Sequence, residues 1–183
     1  MGFFSGRKTE SIELREVEVN LLGIKGKWVA DREQQTAAWE LYVELVTRVA
    51  LQQLPDDQGI LREALDSLHS LFGETRRILR THGPRVGRKL TGDSLAFASI
   101  ALYILNNVLR PLLTKWHPEL QAHESRRQPG EAVYAHEMKW DETKRNELRK
   151  ALNEVRPVLA EYANLLAAAA AVDPLHGSTK TSA

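Results

Sequence analysis

The chain has 183 residues, 43% of them hydrophobic and 27% charged, with a formal net charge of +1. These values describe an ordinary globular chain long enough to bury a core, and they exclude a global electrostatic signature for nucleic acid or membrane. The chain has no cysteine, which removes disulfides, thiol chemistry and thiolate zinc sites and fits a reducing cytoplasm.

Residues 1–10, MGFFSGRKTE, read as a flexible lead-in. They are too polar after Phe4 for a secretory signal, and Gly6 stands where a myristoylation motif wants Ser or Thr. Ile12, Leu14, Val17, Val19 and Leu21 then alternate with one slip, which predicts a strand with a bulge. With Gly23 and Gly26 as punctuation, residues 12–29 read as a β-hairpin or extended arm lying on helices, since a lone hairpin is marginal in water.

Asp31 is placed to cap a first helix over 32–53. Trp39, Val43, Val46 and Ala50 form one apolar stripe, with Ala38, Tyr42, Leu45 and Val49 beside it. Together they span about half the helix, wider than the usual stripe. The surplus predicts cover by the arm or by a second subunit, and makes Trp39, Val43, Val46 and Ala50 a candidate interface. After Leu54-Pro55, Asp56 or Asp57 is placed to cap a second helix over 58–82. Its seam, Leu61, Leu65, Leu68, Phe72, Thr75 and Leu79, has a 3.5-residue repeat that favours aligned bundle packing. Gly83-Pro84 ends it.

Asp93 or Ser94 is the expected cap of a third helix over 94–116. Leu95 to Leu105 is the most apolar run in the chain. It is too short for a membrane span of roughly 20 apolar residues and reads as a surrounded core helix. Pro111 lacks a backbone donor and predicts a kink near Asn107; Pro118 either ends the helix or begins an extension through Glu124. Asp141 caps a fourth helix over 141–171, seamed by Leu148, Leu152, Val155, Leu159, Tyr162 and Leu166. Residues 173–183 read as a disordered tail, so that 11–172 form one domain.

The chemistry-bearing features are few. Residues 31–74 hold nine acidic and three basic side chains, whereas 75–90 hold Arg76, Arg77, Arg80, Arg85, Arg88, Lys89 and His82 with no acid. As a function, this cluster is an anion site for a phosphate, nucleotide, nucleic acid or acidic protein. As structure, the same cations complement a helix C-terminus and pair with nearby acids, and no aromatic residues interleave with them. Asn106 and Asn107 beside the kink, with His117 at the helix end, form a candidate pocket. The plainer reading has one amide exposed, the other satisfying a freed carbonyl, and His117 closing the helix. Glu119 and His123 share a spacing of four, but no Glu-x-x-His pair or His-Glu-x-x-His is present, so no metal site is expected. Nucleotide-binding glycine loops and nucleophile elbows are absent too.

Three phrases, Ala37 to Arg48 (AAWELYVELVTR), Leu61 to Leu65 (LREAL) and Val108 to Pro118 (VLRPLLTKWHP), resemble a group of uncharacterised bacterial helical proteins across most of 24–172. The resemblance implies a bacterial cytosolic setting and carries no activity and no site residues with it.

The expected architecture is mainly α: a four-helix up-down bundle with a short N-terminal β-hairpin or arm. The expected function is a non-catalytic protein-interaction module, an adaptor or regulatory subunit working with a protein partner or as a homodimer, in the cytoplasm and with no membrane or cofactor. The alternative is an anion, nucleotide or nucleic-acid sensor using residues 76–89. A third reading is an enzyme with a pocket near Asn106, His117 and Glu119.

Overall fold

A computed structural model describes residues 13–48 and 60–174. The chain is mainly helical behind an N-terminal antiparallel hairpin. Strands β1 (Arg15–Leu21) and β2 (Ile24–Ala30) pair in continuous register from Arg15↔Ala30 to Leu21↔Ile24. Leu22 and Gly23 close the hairpin with φ of 45° and 86°, the positive pair of a type I′ turn. The expected bulge is absent. Leu14 lies outside β1 and is exposed, and Val17, Val19 and Leu21 alternate without a slip. Ile12 lies outside the described residues. Val19, Leu21, Trp28 and Ala30 face inward, Val29 is buried on the opposite face near the strand end, and on that face Lys27 bridges Glu16 at 2.5 Å.

Helix α1 (Arg32–Val46) starts where Asp31 Oδ1 accepts from Gln34 N at 3.0 Å. It ends seven residues short of the predicted 53, at a cap where the Thr47 amide and hydroxyl both return to the Val43 carbonyl. Ala50 falls outside the described residues. The wide apolar face of α1 is largely covered from within the chain. Ala37, Ala38, Leu41, Tyr42 and Leu45 are buried, with other helices and the hairpin packed around them.

Helix α2 (Leu61–His82) runs antiparallel to α1, since Arg48 meets Ser67 near one end and His82 meets Glu33 at the other. Its buried line is Leu61, Leu65, Leu68, Leu71, Thr75 and Ile78. The predicted 3.5-residue seam therefore drifts, as a straight helix of 3.6 residues per turn must. Phe72 and Leu79 end up half-buried at the edge. Gly83 (φ 65°) caps the helix, and a 3₁₀ turn, Gly83–Gly87, inserts Val86 into the core.

Helix α3 (Phe97–Glu124) begins three residues later than predicted. Leu95 N donates to the Lys27 carbonyl at 2.7 Å, and Leu95 bridges to Trp28, so 94–96 stay extended alongside β2. Neither Asp93 nor Ser94 is the cap; Ala96 occupies that position, and Gln34 Oε1 takes the Phe97 amide instead. The Pro111 irregularity appears as a π-helical stretch, Ile104–Leu109, in which Asn107 Nδ2 donates to the Tyr103 carbonyl. The helix continues through Pro118 to Glu124 rather than stopping at Trp116. By length and composition α3 is apolar enough to cross a membrane, and half of its most apolar window is buried here against the rest of the chain.

A short helix, α4 (Val133–Met138), leads to the long α5 (Glu142–Ala169), capped by Asp141 Oδ1 on Lys144 N. Leu159, Tyr162, Ala163 and Leu166 of α5 complete the core against α1, α2 and the hairpin. His123 and His136 pin the α3–α4 connection: each Nε2 meets the other's carbonyl, and the rings stack at 4.2 Å.

Candidate functional site

Helices α2 and α3 run antiparallel, as two contacts show: Arg62 of α2 pairs with Glu124 of α3, while Phe72 lies under Arg110. Between them opens a groove of about 540 Å³, within the range of small-molecule sites. Its chemistry differs at the two ends. At one end Arg76 and Arg110 both rest on the Phe72 ring, at 5.8 and 5.6 Å from its centroid, inside the reach of a cation–π contact. At the other end the rings of His69 and His117 lie 5.1 Å apart, beside Pro118. Gly73, Ser70, Leu113 and Thr114 make up the middle. Among the described residues, no carboxylate lines the groove.

The local sequence explains the alignment. His69, Gly73, Arg76 and Arg80 step by four, three and four along α2, and Arg110, Thr114 and Pro118 step by four along α3; each set therefore shares one helix face. Drift of the α2 seam leaves Phe72 at the rim instead of in the core, where it becomes a platform for both guanidinium groups.

The imidazole end is tuned from behind. Arg62 Nη1 lies 3.4 Å from His117 Nδ1, while Nε and Nη2 of the same guanidinium grip Glu124 at 2.7 and 2.5 Å. Burial, followed by the positive charges of Arg62 and His69, holds the His117 pKa below the usual histidine value, against smaller opposing pulls from Asp66 and the Leu65 carbonyl. His117 therefore sits in the groove as a neutral ring near neutral pH.

The basic run 76–89 divides in two. Arg77 bonds Glu74 at 2.8 Å and reaches Glu40 at 3.4 Å. His82 places both ring nitrogens 2.9 Å from carboxylates, Nδ1 on Glu33 and Nε2 on Glu40. Burial pulls the His82 pKa down, but the hydrogen bonds and charges of the two glutamates outweigh it and leave the pKa raised. These two cations stitch α2 to α1. Arg76, Arg80, Arg85, Arg88 and Lys89 are exposed, with no ion-pair partner among the described residues. Of this group only Arg76 lines the groove; Arg80 lies one turn further along the same face.

The other candidates separate. Asn106 and Asn107 are exposed and do not line the groove; Asn106 Oδ1 accepts from Arg110 Nε at 3.1 Å, so it steadies one groove cation from outside. Glu119 bonds Lys144 at 2.5 Å, apart from His117. Trp39 is 38% exposed with its ring against Tyr42, while Val43 and Val46 are half-buried. Among the described residues, no three His, Asp or Glu side chains come together as a metal-ligand set. A second depression of about 600 Å³ is bounded, among the described residues, by α5 alone, including Asn146, Lys150 and Asn153.

The sequence reading missed Phe72, Gly73, His69 and Arg110 as site residues. The signal it lacked is the pairing of α2 with α3; the shared-face spacings were present in each helix separately. No family model matches the chain, and comparisons with curated proteins and with solved structures find no significant similarity.

Proposed function

We propose that this chain is a non-catalytic anion-binding module, a sensor or carrier, whose ligand seats in the α2–α3 groove. The observation that carries this reading is the convergence of Arg76 and Arg110 on one aromatic ring with no carboxylate among the described groove residues. A guanidinium parked on a ring face still donates from its edge; Arg110 gives Nε to Asn106 and keeps its two Nη groups for a ligand, and guanidinium groups form the strongest paired bonds with phosphate or carboxylate. This reading moves the anion site from the basic loop into the groove, with Arg80, Arg85, Arg88 and Lys89 supplying an attractive field beside it. The scaffold on this reading is an up-down bundle of α1, α2, α3 and α5, supported by the antiparallel α1–α2 and α2–α3 pairs.

Calorimetric titration with pyrophosphate at low and high salt tests it. Binding that weakens with salt is expected, together with a loss of about tenfold or more in Arg76→Ala or Arg110→Ala, since a hydrogen bond to a charged group contributes roughly 1.5–3 kcal/mol. Equal heats from the wild type and the double variant contradict it.

A second reading, a protein-interaction module, is favoured by one observation: a tryptophan, Trp39, left 38% exposed on α1. Sedimentation of wild type and Trp39→Ala tests its self-associating form. A wild-type dimer that dissociates in the variant supports it, and a strict monomer in both removes that form.

A further inference from the structure

The middle of the groove holds an anomaly. Gly73 lies near the centre of the 22-residue helix α2, where glycine is the poorest helix former after proline. The usual reasons for such a glycine are missing. Its backbone is not left-handed, and a Cβ built on it meets no atom within 4 Å among the described residues beyond its chain neighbours and the backbone of its own helix. No close approach or turn requires it. What Gly73 does is leave bare backbone on the groove wall, one turn from His69 on one side and one turn from Arg76 on the other.

Opposite it, Leu113 and Thr114 come from α3, and Phe72 borders the same space. Between the levels of His69 and Arg76 the helix rises about 10 Å. That span has cations at one end, imidazoles at the other and an open middle in which Gly73, Leu113 and the edge of Phe72 offer apolar surface beside the hydroxyls of Ser70 and Thr114. Inorganic phosphate occupies only the guanidinium end. A larger anion uses the middle as well.

We infer that the groove's ligand is an organic anion, a phosphate or carboxylate head joined to an apolar body of about one ring, with the head between Arg76 and Arg110 and the body lying across Gly73. This deepens the anion-binding reading and rests on it. Gly73 is then the position that sets which anions bind: any side chain there fills the seat of the ligand's body and leaves the head's contacts intact.

The test uses phenyl phosphate and inorganic phosphate on the full chain, as wild type, Gly73→Ala and Gly73→Leu. In the wild type, phenyl phosphate binds about tenfold more tightly than inorganic phosphate, from burial of part of the ring. In Gly73→Leu that advantage disappears while the affinity for inorganic phosphate stays within about twofold. Gly73→Ala melts higher, by about 2–4 °C from its better helix propensity, and yet binds phenyl phosphate more weakly. The inference is overturned if Gly73→Leu binds phenyl phosphate as the wild type does, or loses both ligands equally; the anion-binding reading survives either result. Wild-type protein that binds neither ligand overturns both.

Discussion

The carboxylate of Glu137 caps a helix that begins 76 residues earlier: its Oε1 accepts the Leu61 amide at 3.0 Å. Its Oε2 takes the Arg62 amide at 3.2 Å, and Glu137 itself is only 3% exposed. Helix α2 has no side-chain cap of its own at Ile60, so a residue of α4 satisfies two of its unpaired donors and places a negative charge at the positive end of its dipole. Glu137→Ala is expected to destabilise the fold by about 1–2 kcal/mol, and Glu137→Gln by less, because an amide oxygen still accepts but brings no charge. Urea unfolding measures this; equal midpoints for all three proteins contradict it.

Gln34 links three segments at full burial. Its Oε1 accepts from Trp28 Nε1 and Phe97 N, both at 2.9 Å, and its Nε2 donates to the Arg88 carbonyl at 3.1 Å. Gln34→Leu leaves buried donors from the hairpin and from the start of α3 without an acceptor. The expected loss is about 2–6 kcal/mol, from about one to three for each of the two orphaned donors. Thermal melting reads the loss, and a change smaller than that of an exposed control such as Gln121→Leu contradicts it.

The bridge from His82 to Glu33 and Glu40 makes stability depend on pH with a definite sign. The folded-state pKa is raised, so the folded state holds the proton more tightly than the unfolded chain does. The stabilisation is fully present below the ordinary histidine value and is lost as pH rises through the raised folded value. His117, whose pKa is lowered, works in the opposite direction. The clean readout is therefore the difference between wild type and His82→Ala, which should be large at pH 5.5 and shrink by pH 8.5. A difference that grows with pH contradicts the assignment.

Ligand binding should respond to pH through His117. The groups facing its ring are Arg62, His69 and Asp66. An anion in the groove favours the imidazolium, so binding takes up a proton and tightens as pH falls. Benzenesulfonate keeps a constant charge over this range and isolates the protein's contribution. Its affinity should rise between pH 8 and pH 5.5 in the wild type and rise less in His117→Gln. Identical slopes in the two proteins exclude His117 as the responding group.

The features legible in the sequence were local. Asp31 and Asp141 each sit before an apolar-periodic run and reach the amide three residues on; the Leu22-Gly23 hairpin and the irregularity before Pro111 likewise follow from neighbouring residues alone. The missed features span the fold. Ser94 is a good capping residue, but strand-like pairing of Leu95 with β2 keeps it out of the helix. Glu137 and Gln34 accept from backbone amides 63 to 76 residues away, which no window of sequence reveals. The groove combines both kinds of information. Arg76 is marked in the sequence by its basic run, but the 3.5-residue seam places Phe72 in the core, and Arg110 gains its meaning only once α3 lies antiparallel on α2.

The most direct measurement is an amide and imidazole NMR titration of the full chain with phenyl phosphate. The account predicts that shifts concentrate at Gly73, Arg76, Thr114 and the rings of His69 and His117, with little change at Arg85, Arg88 and Lys89. Shifts confined to the 85–89 loop, or none at saturating ligand and low salt, contradict it.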